Sequence, residues 1–129
     1  MADNLTTYAE NKILDHSLGT TSWTMPTQLY LGLFTAAPGE AGGGTEVSGG
    51  SYARQSVDFD AAASGATQNA AEVLFPVASA NWGTVTHIAL FDASTAGNMI
   101  WYGALTASKA IDSGDQFKIA DTDLDVSIS

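Results

Sequence analysis

Gln28-Leu29-Tyr30-Leu31-Gly32-Leu33-Phe34-Thr35 alternates with a period of two, placing Leu29, Leu31 and Leu33 on one face of an extended chain and Tyr30 and Phe34 on the other. A strand that is apolar on both faces is covered on both, so this one belongs in the middle of a sheet or at an interface. Downstream, residues 36–50 hold six Gly and one Pro, which makes a loop too long and too rich in Gly to be only a hairpin turn. Further strands are predicted at 52–59, 72–77, 84–92, 98–105, 116–120 and 123–128, about seven in all, separated by Gly, Ser, Asp and Asn. Ser113-Gly114-Asp115 and residues 93–97 read as hairpin connections, and the last run points Leu124, Val126 and Ile128 inward.

Upstream, the period changes. Leu5, Tyr8, Ala9, Lys12, Ile13 and His16 make a helical stripe, which predicts a helix near residues 6–18. Thr7 with Glu10 has capping-box spacing, and Gly19 is a natural stop. One helix followed by many short strands predicts a mainly β fold, an antiparallel β-sandwich or jelly-roll-like domain with one N-terminal α-helix. The expected organisation is a single domain over 1–129, with a helical arm at 1–20 and the sandwich over 21–129.

The composition narrows function. With 129 residues and no Cys, disulfide frameworks, thiolate nucleophiles and Cys-type metal sites are excluded. Four basic against fourteen acidic residues give a charge of −10, which repels phosphate backbones and anionic lipid, so neither nucleic acid nor membrane is expected as a partner. Only 14% of residues are charged, and Ala, Gly, Ser and Thr supply nearly half the chain. Such a weakly charged exterior points to cover by neighbouring subunits and to a homo-oligomer. The start, Met1-Ala2-Asp3-Asn4, has neither the basic nor the apolar part of a signal peptide, so synthesis in a cytoplasm is expected.

Motifs for chemistry are incomplete. Asp121, Asp123 and Asp125 imitate the first half of a calcium loop, but Val126 stands where Gly is needed. Gly42-Gly43-Gly44-Thr45 lacks the lysine and helix of a phosphate loop, and Ser48-Gly49-Gly50-Ser51 is no nucleophile elbow. Two His are too few for a metal site: His87 reads as a packed strand residue, and His16 as a complement to the helix dipole. Asp58 and Asp60 flank Phe59 and read as solvated, with a catalytic pair as the competing reading. The sequence therefore indicates no enzyme, no catalytic residue, no cofactor and no metal.

What remains is aromatic and contact chemistry. Most of the Trp, Tyr and Phe residues belong to the core, and the remainder suit subunit interfaces. The candidate interface residues are Tyr8 and Ile13 on the helix, Glu46 and Tyr52 around the Gly-rich loop, Arg54, and Trp82. Arg54 is the one arginine, and its planar fork suits a carboxylate, either in its own chain or across a subunit boundary.

Several segments together resemble a family of small tailed-phage virion proteins, usually labelled tail fibre or virion structural proteins. They are Leu29-Tyr30-Leu31-Gly32-Leu33-Phe34-Thr35, Pro38-Gly39-Glu40-Ala41-Gly42, Thr45-Glu46-Val47-Ser48-Gly49-Gly50 with Tyr52-Ala53-Arg54, and Ala80-Asn81-Trp82-Gly83-Thr84-Val85-Thr86-His87. Asn11-Lys12-Ile13-Leu14-Asp15-His16 and Trp101-Tyr102-Gly103-Ala104-Leu105 fit as well. The resemblance implies a non-enzymatic particle component with no catalytic residues, and the acidic, weakly charged body places it on the virion exterior, away from the packaged genome, with the major capsid protein or tail proteins as expected partners. The chain has neither heptads nor β-helix repeats, which favours a capsid decoration (cement) protein that stabilises the head exterior. The alternative is a tail fibre or tail adaptor subunit with carbohydrate bound on exposed aromatic rings.

Overall fold

The computed structural model describes residues 4–128; Met1, Ala2 and Asp3 of the expected arm, and Ser129, lie outside them. Its elements are β1 (Asn4–Leu5), α1 (Thr7–Ser17), β2 (Leu29–Ala36), β3 (Thr45–Glu46), β4 (Gln55–Val57), β5 (Ala66–Gln68), β6 (Val73–Leu74), β7 (Gly83–Phe91), β8 (Met99–Ile111), β9 (Lys118–Ile119) and β10 (Asp125–Ser127). The fold is mainly β and antiparallel, with one helix near the N-terminus.

β2 is central, as its two apolar faces require. β7 pairs along one edge over Tyr30–Phe34, while β3 and β4 share the other edge at opposite ends. β8 and then β1 continue the sheet beyond β7. On one face Leu31, Leu33, Ile88 and Leu90 form a core with Val73, Phe75, Phe117, Ile119, Leu124 and Val126. These partners come from two ribbons, β6 with β9 and β5 with β10, and from their flanks. The sandwich is therefore unequal, a broad sheet covered by two narrow ribbons. On the opposite face Phe34, Ala89, Phe91 and Met99 form a second, smaller cluster with Tyr102, and α1 packs against β8.

Several sequence expectations need correction. The helix is capped by Thr6, not Thr7. Ala9 N–H donates to Thr6 Oγ1 at 3.3 Å, and the same hydroxyl donates to Met99 O at 2.7 Å. Thr7 N–H donates instead to Glu40 O at 2.9 Å. Thr6 thus ends the strand that adds to β8 and begins the helix that covers it. Gly19 does stop the helix, with a left-handed φ of 80°. His16 accepts Trp23 N–H at Nδ1 (3.0 Å), so it fastens the segment after the helix in addition to standing at the dipole's end.

The loop at 36–50 contains β3, whose two residues are strand only because β2 offers an edge. The strand expected at 52–59 shrinks to Gln55–Val57, and those at 72–77, 116–120 and 123–128 shrink to the ribbon strands. β8 runs six residues past its expected end at Leu105, because Gly83–Val85 of β7 pairs with Lys109–Ile111 across a bulge. Ser113-Gly114-Asp115 is a turn but not a hairpin connection: Asp115 N–H donates to Asp112 O, and the chain leaves the sheet for the ribbon. Ile128 is exposed, since it lies past the Ser127–Ala66 end of its ribbon.

Asn69 is fully buried and has all its polar atoms satisfied. Its amide donates to Ala71 O (2.8 Å) and Ala120 O (3.0 Å), and its Oδ1 accepts Leu124 N–H (2.9 Å), tying the two ribbons together.

Thr6→Ala is expected to lower unfolding stability by about 1–2 kcal/mol, through the lost cap and the stranded Met99 carbonyl. Thr6→Ser should retain most of it. Urea denaturation with hydrogen exchange of α1 measures both.

Candidate functional site

Glu46, Tyr52, Arg54 and Trp82 converge at the outer edge of β2, where β3 and β4 leave a gap between them. The backbone that spans this gap turns through three successive left-handed residues, Gly49 (φ 74°), Gly50 (φ 58°) and Ser51 (φ 68°). Gly50 is required for a second reason. A Cβ there would stand 2.9 Å from the Trp82 indole nitrogen, which donates to Gly50 O at 2.8 Å.

The turn directs Tyr52 back into the gap. Its hydroxyl accepts Leu33 N–H at 3.0 Å, filling the place of a missing ladder bond, and donates to Glu46 Oε2 at 2.6 Å. The ring stacks on Phe75 and meets Trp82 edge-on, with centroids at 6.1 and 5.5 Å. Burial first, and then the hydrogen bond to the Glu46 carboxylate, push the Tyr52 phenol well above its ordinary range.

Glu46 also takes the Arg54 fork in two parallel bonds, Nε to Oε2 and Nη2 to Oε1, each 2.9 Å. The Arg54 side chain is only 9% exposed, and that of Glu46 25%. Nη1 donates to Ala93 O (3.0 Å) and Ala96 O (2.8 Å), which holds the turn between β7 and β8. The guanidinium lies over the Phe91 ring at 3.5 Å from its centroid. Gly32 makes room beneath: a Cβ there would be 2.9 Å from Glu46 Oε2 and 3.2 Å from Phe91 Cε2.

Of the two readings of Arg54, the one within its own chain is therefore the one observed. Trp82 is buried in the core. Tyr8 and Ile13 lie elsewhere, half-buried on α1; Tyr8 meets Trp23 edge-on at 6.4 Å, with Lys12 Nζ 5.6 Å from its ring. Sequence reasoning missed Gly32 and Phe91, although a Gly inside a run of bulky strand residues is a recognised sign of close approach. Asp58 and Asp60 take separate amide partners, Gln28 at 3.1 Å and Gln68 at 3.3 Å. His87 pairs with Thr86 Oγ1 at 2.8 Å. Among the described residues no three His, Cys, Asp or Glu side chains are grouped to hold a metal ion, and no helix is long and apolar enough to cross a membrane.

What this arrangement does chemically is fasten backbone. One carboxylate, one guanidinium and one phenol join a strand edge, a loop and a distant hairpin, which is the work of a structural β domain. The chain belongs to the family described as Podophage GP4 fiber I protein gp80, which matches residues 4–127. It is thus a phage structural protein of fibre type and a component of the virion. No curated protein matches the chain.

Arg54→Ala should destabilise the fold by about 2 kcal/mol or more, because it leaves the Glu46 carboxylate without its cation and the Ala93 and Ala96 carbonyls without their guanidinium donor. Arg54→Lys should recover little of this, since an ammonium cannot make the fork. Gly32→Ala is expected to lose about 1–3 kcal/mol by overpacking. For Tyr52, the native phenol keeps its proton where the unfolded one, with a pKa of about 10, releases it. The corresponding stability is full below pH 10 and falls as the pH rises above it. Tyr52→Phe should flatten that alkaline decline, as read by denaturation at pH 8 through 11.

Proposed function

We propose that the protein is a fibre subunit on the exterior of a tailed-phage particle, where it joins other virion proteins non-covalently and catalyses no reaction. The observation that carries this reading is family membership over residues 4–127. The exposed apolar side chains are consistent with it: Leu14, Leu18 and Met25 stand out from the end of α1 and the segment after it, and surfaces of that kind suit a neighbouring subunit. The charge of −10 keeps such a subunit away from the packaged genome, so its partners are proteins. Synthesis in the host cytoplasm precedes assembly.

A second reading, capsid decoration, is favoured by one feature. The eleven-residue helix and the unequal sandwich contain no element that repeats along an axis, as a fibre shaft does. The two readings differ in copy number and place. Gold-labelled antibody on intact particles should mark a few sites at the tail, and gels of separated heads and tails should place the band with the tails. Label spread over the head would overturn the fibre reading in favour of decoration.

A further inference from the structure

Residues 19–28 join α1 to β2 without regular structure, yet this strap is fastened at both ends. Near the helix, the Thr20 and Thr21 N–H groups both donate to Asp15 O, at 2.8 and 3.2 Å. Near the sheet, the Gln28 amide donates to Val57 O and to Asp58 Oδ1, at 3.1 Å each. Between these anchors Trp23 makes the tie among the described residues: its N–H donates to His16 Nδ1 at 3.0 Å, and its ring meets Tyr8 edge-on.

The bond from Trp23 to His16 depends on a single lone pair. A backbone N–H can only donate, so Nδ1 is bare and the ring proton sits on Nε2. A proton added at Nδ1 turns the acceptor into a donor and sets two N–H groups against each other. His87 lacks this property. Its Nδ1 faces the Thr86 hydroxyl at 2.8 Å, and a hydroxyl can donate to a bare nitrogen or accept from a protonated one, so that contact survives either charge.

The charges around His16 do not restore the tie. α1 itself carries Glu10, Lys12 and Asp15, and neither carboxylate forms an ion pair with the imidazole; Arg54 with Glu46 is the pair formed among the described residues. Lys12 Nζ lies toward the Tyr8 ring. Residues 19–28 include no Asp, Glu, Lys or Arg. β1 and β8 pack against α1. β1 has no charged residue. β8 brings the Tyr102 phenol, pushed up by burial and then by Glu40 and Glu10, and Lys109, which lines the groove between β8 and β9 with Lys118. The carbonyls at the end of α1 favour a charged imidazole whether or not Trp23 is in place. Charge is therefore accommodated there, and the strap is not held by it.

We propose that His16 is a proton-operated catch for residues 22–27: the neutral ring holds the strap against α1, and the protonated ring releases it. The ring is exposed, so protons reach it directly from solvent. Because the proton and the Trp23 N–H compete for one lone pair, the strap is closed at about pH 8 and opens as the pH falls toward about 5, the range in which an imidazole gains charge. The Asp15 and Val57 carbonyls do not titrate, so both ends stay fastened and act as hinges. Release parts Trp23 from Tyr8 and bares two half-buried rings beside Leu14, Leu18 and Met25, which are exposed in either state. Acid thus enlarges the apolar surface at one end of the helix and leaves the sheet as it is. This device goes beyond the fibre reading and does not rest on it.

Nuclear magnetic resonance of the full chain between pH 8 and pH 5 tests it. At pH 8 the His16 ring nitrogens should report the proton on Nε2, and the Trp23 amide should exchange with solvent at least about tenfold more slowly than an open peptide. At pH 5, after correction for the intrinsic pH dependence of exchange, that protection should be gone, while the Ala9 and Leu33 amides keep theirs. His16→Phe, which offers no acceptor, should leave Trp23 unprotected at both pH values. His16→Gln, whose amide does not titrate, should give the same protection at both. His87→Gln should leave the transition in place. A Trp23 amide unprotected at pH 8, protection that persists at pH 5, or a pH-dependent loss that survives in His16→Gln would overturn the catch. None of these results bears on where the antibody label falls, so failure here is distinct from failure of the fibre reading.

Discussion

The Glu46 carboxylate, held between the Arg54 fork and the Tyr52 hydroxyl, is the interaction on which the rest of the sheet depends. β2 has its outer edge covered in two pieces, and the interruption leaves the Leu33 N–H to be satisfied by a side chain. A buried donor without a partner costs about 1–3 kcal/mol. Tyr52 removes that cost, but its own proton needs an acceptor, and Glu46 provides one. The carboxylate in turn needs a cation in a partly dry place, and Arg54 supplies it with five donors, four of which find oxygen. Each group is tolerable only because the next is present.

The same cluster connects parts of the chain that are far apart in sequence. Through Nη1, Arg54 holds the carbonyls of the turn between the two longest strands, and through Phe91 it covers the smaller core. Through Tyr52 and Trp82 the loop after β3 is anchored to the larger core on the other face. For a structural component of a virion, this matters directly. Loops fixed by charge-assisted bonds lose little freedom on assembly, so less of the contact energy is spent in ordering them.

Charge is distributed by the same logic. The chain has few cations, and the single arginine is committed to its interior, while two lysines are left at one groove.

The sequence by itself determined the central strand, since Leu29 to Phe34 is apolar on both faces in any extended conformation. It also determined the helix, from the spacing of Tyr8, Ala9, Lys12 and Ile13, and it named Glu46, Tyr52, Arg54 and Trp82, with Tyr8 and Ile13, as candidate interface residues, without showing that the first four meet in one cluster. Those are local properties of periodicity and residue type. Only the tertiary structure decided that β3 and β5 are strands at all, because two- and three-residue segments are extended when an existing edge provides hydrogen bonds and have no periodicity of their own. It alone decided that Thr6 and not Thr7 caps the helix, since the deciding acceptor, Met99 O, is 93 residues away. It decided as well that the arginine fork closes within the chain, because the distance between Glu46 and Arg54 depends on a left-handed turn through Gly49, Gly50 and Ser51, which no spacing rule encodes.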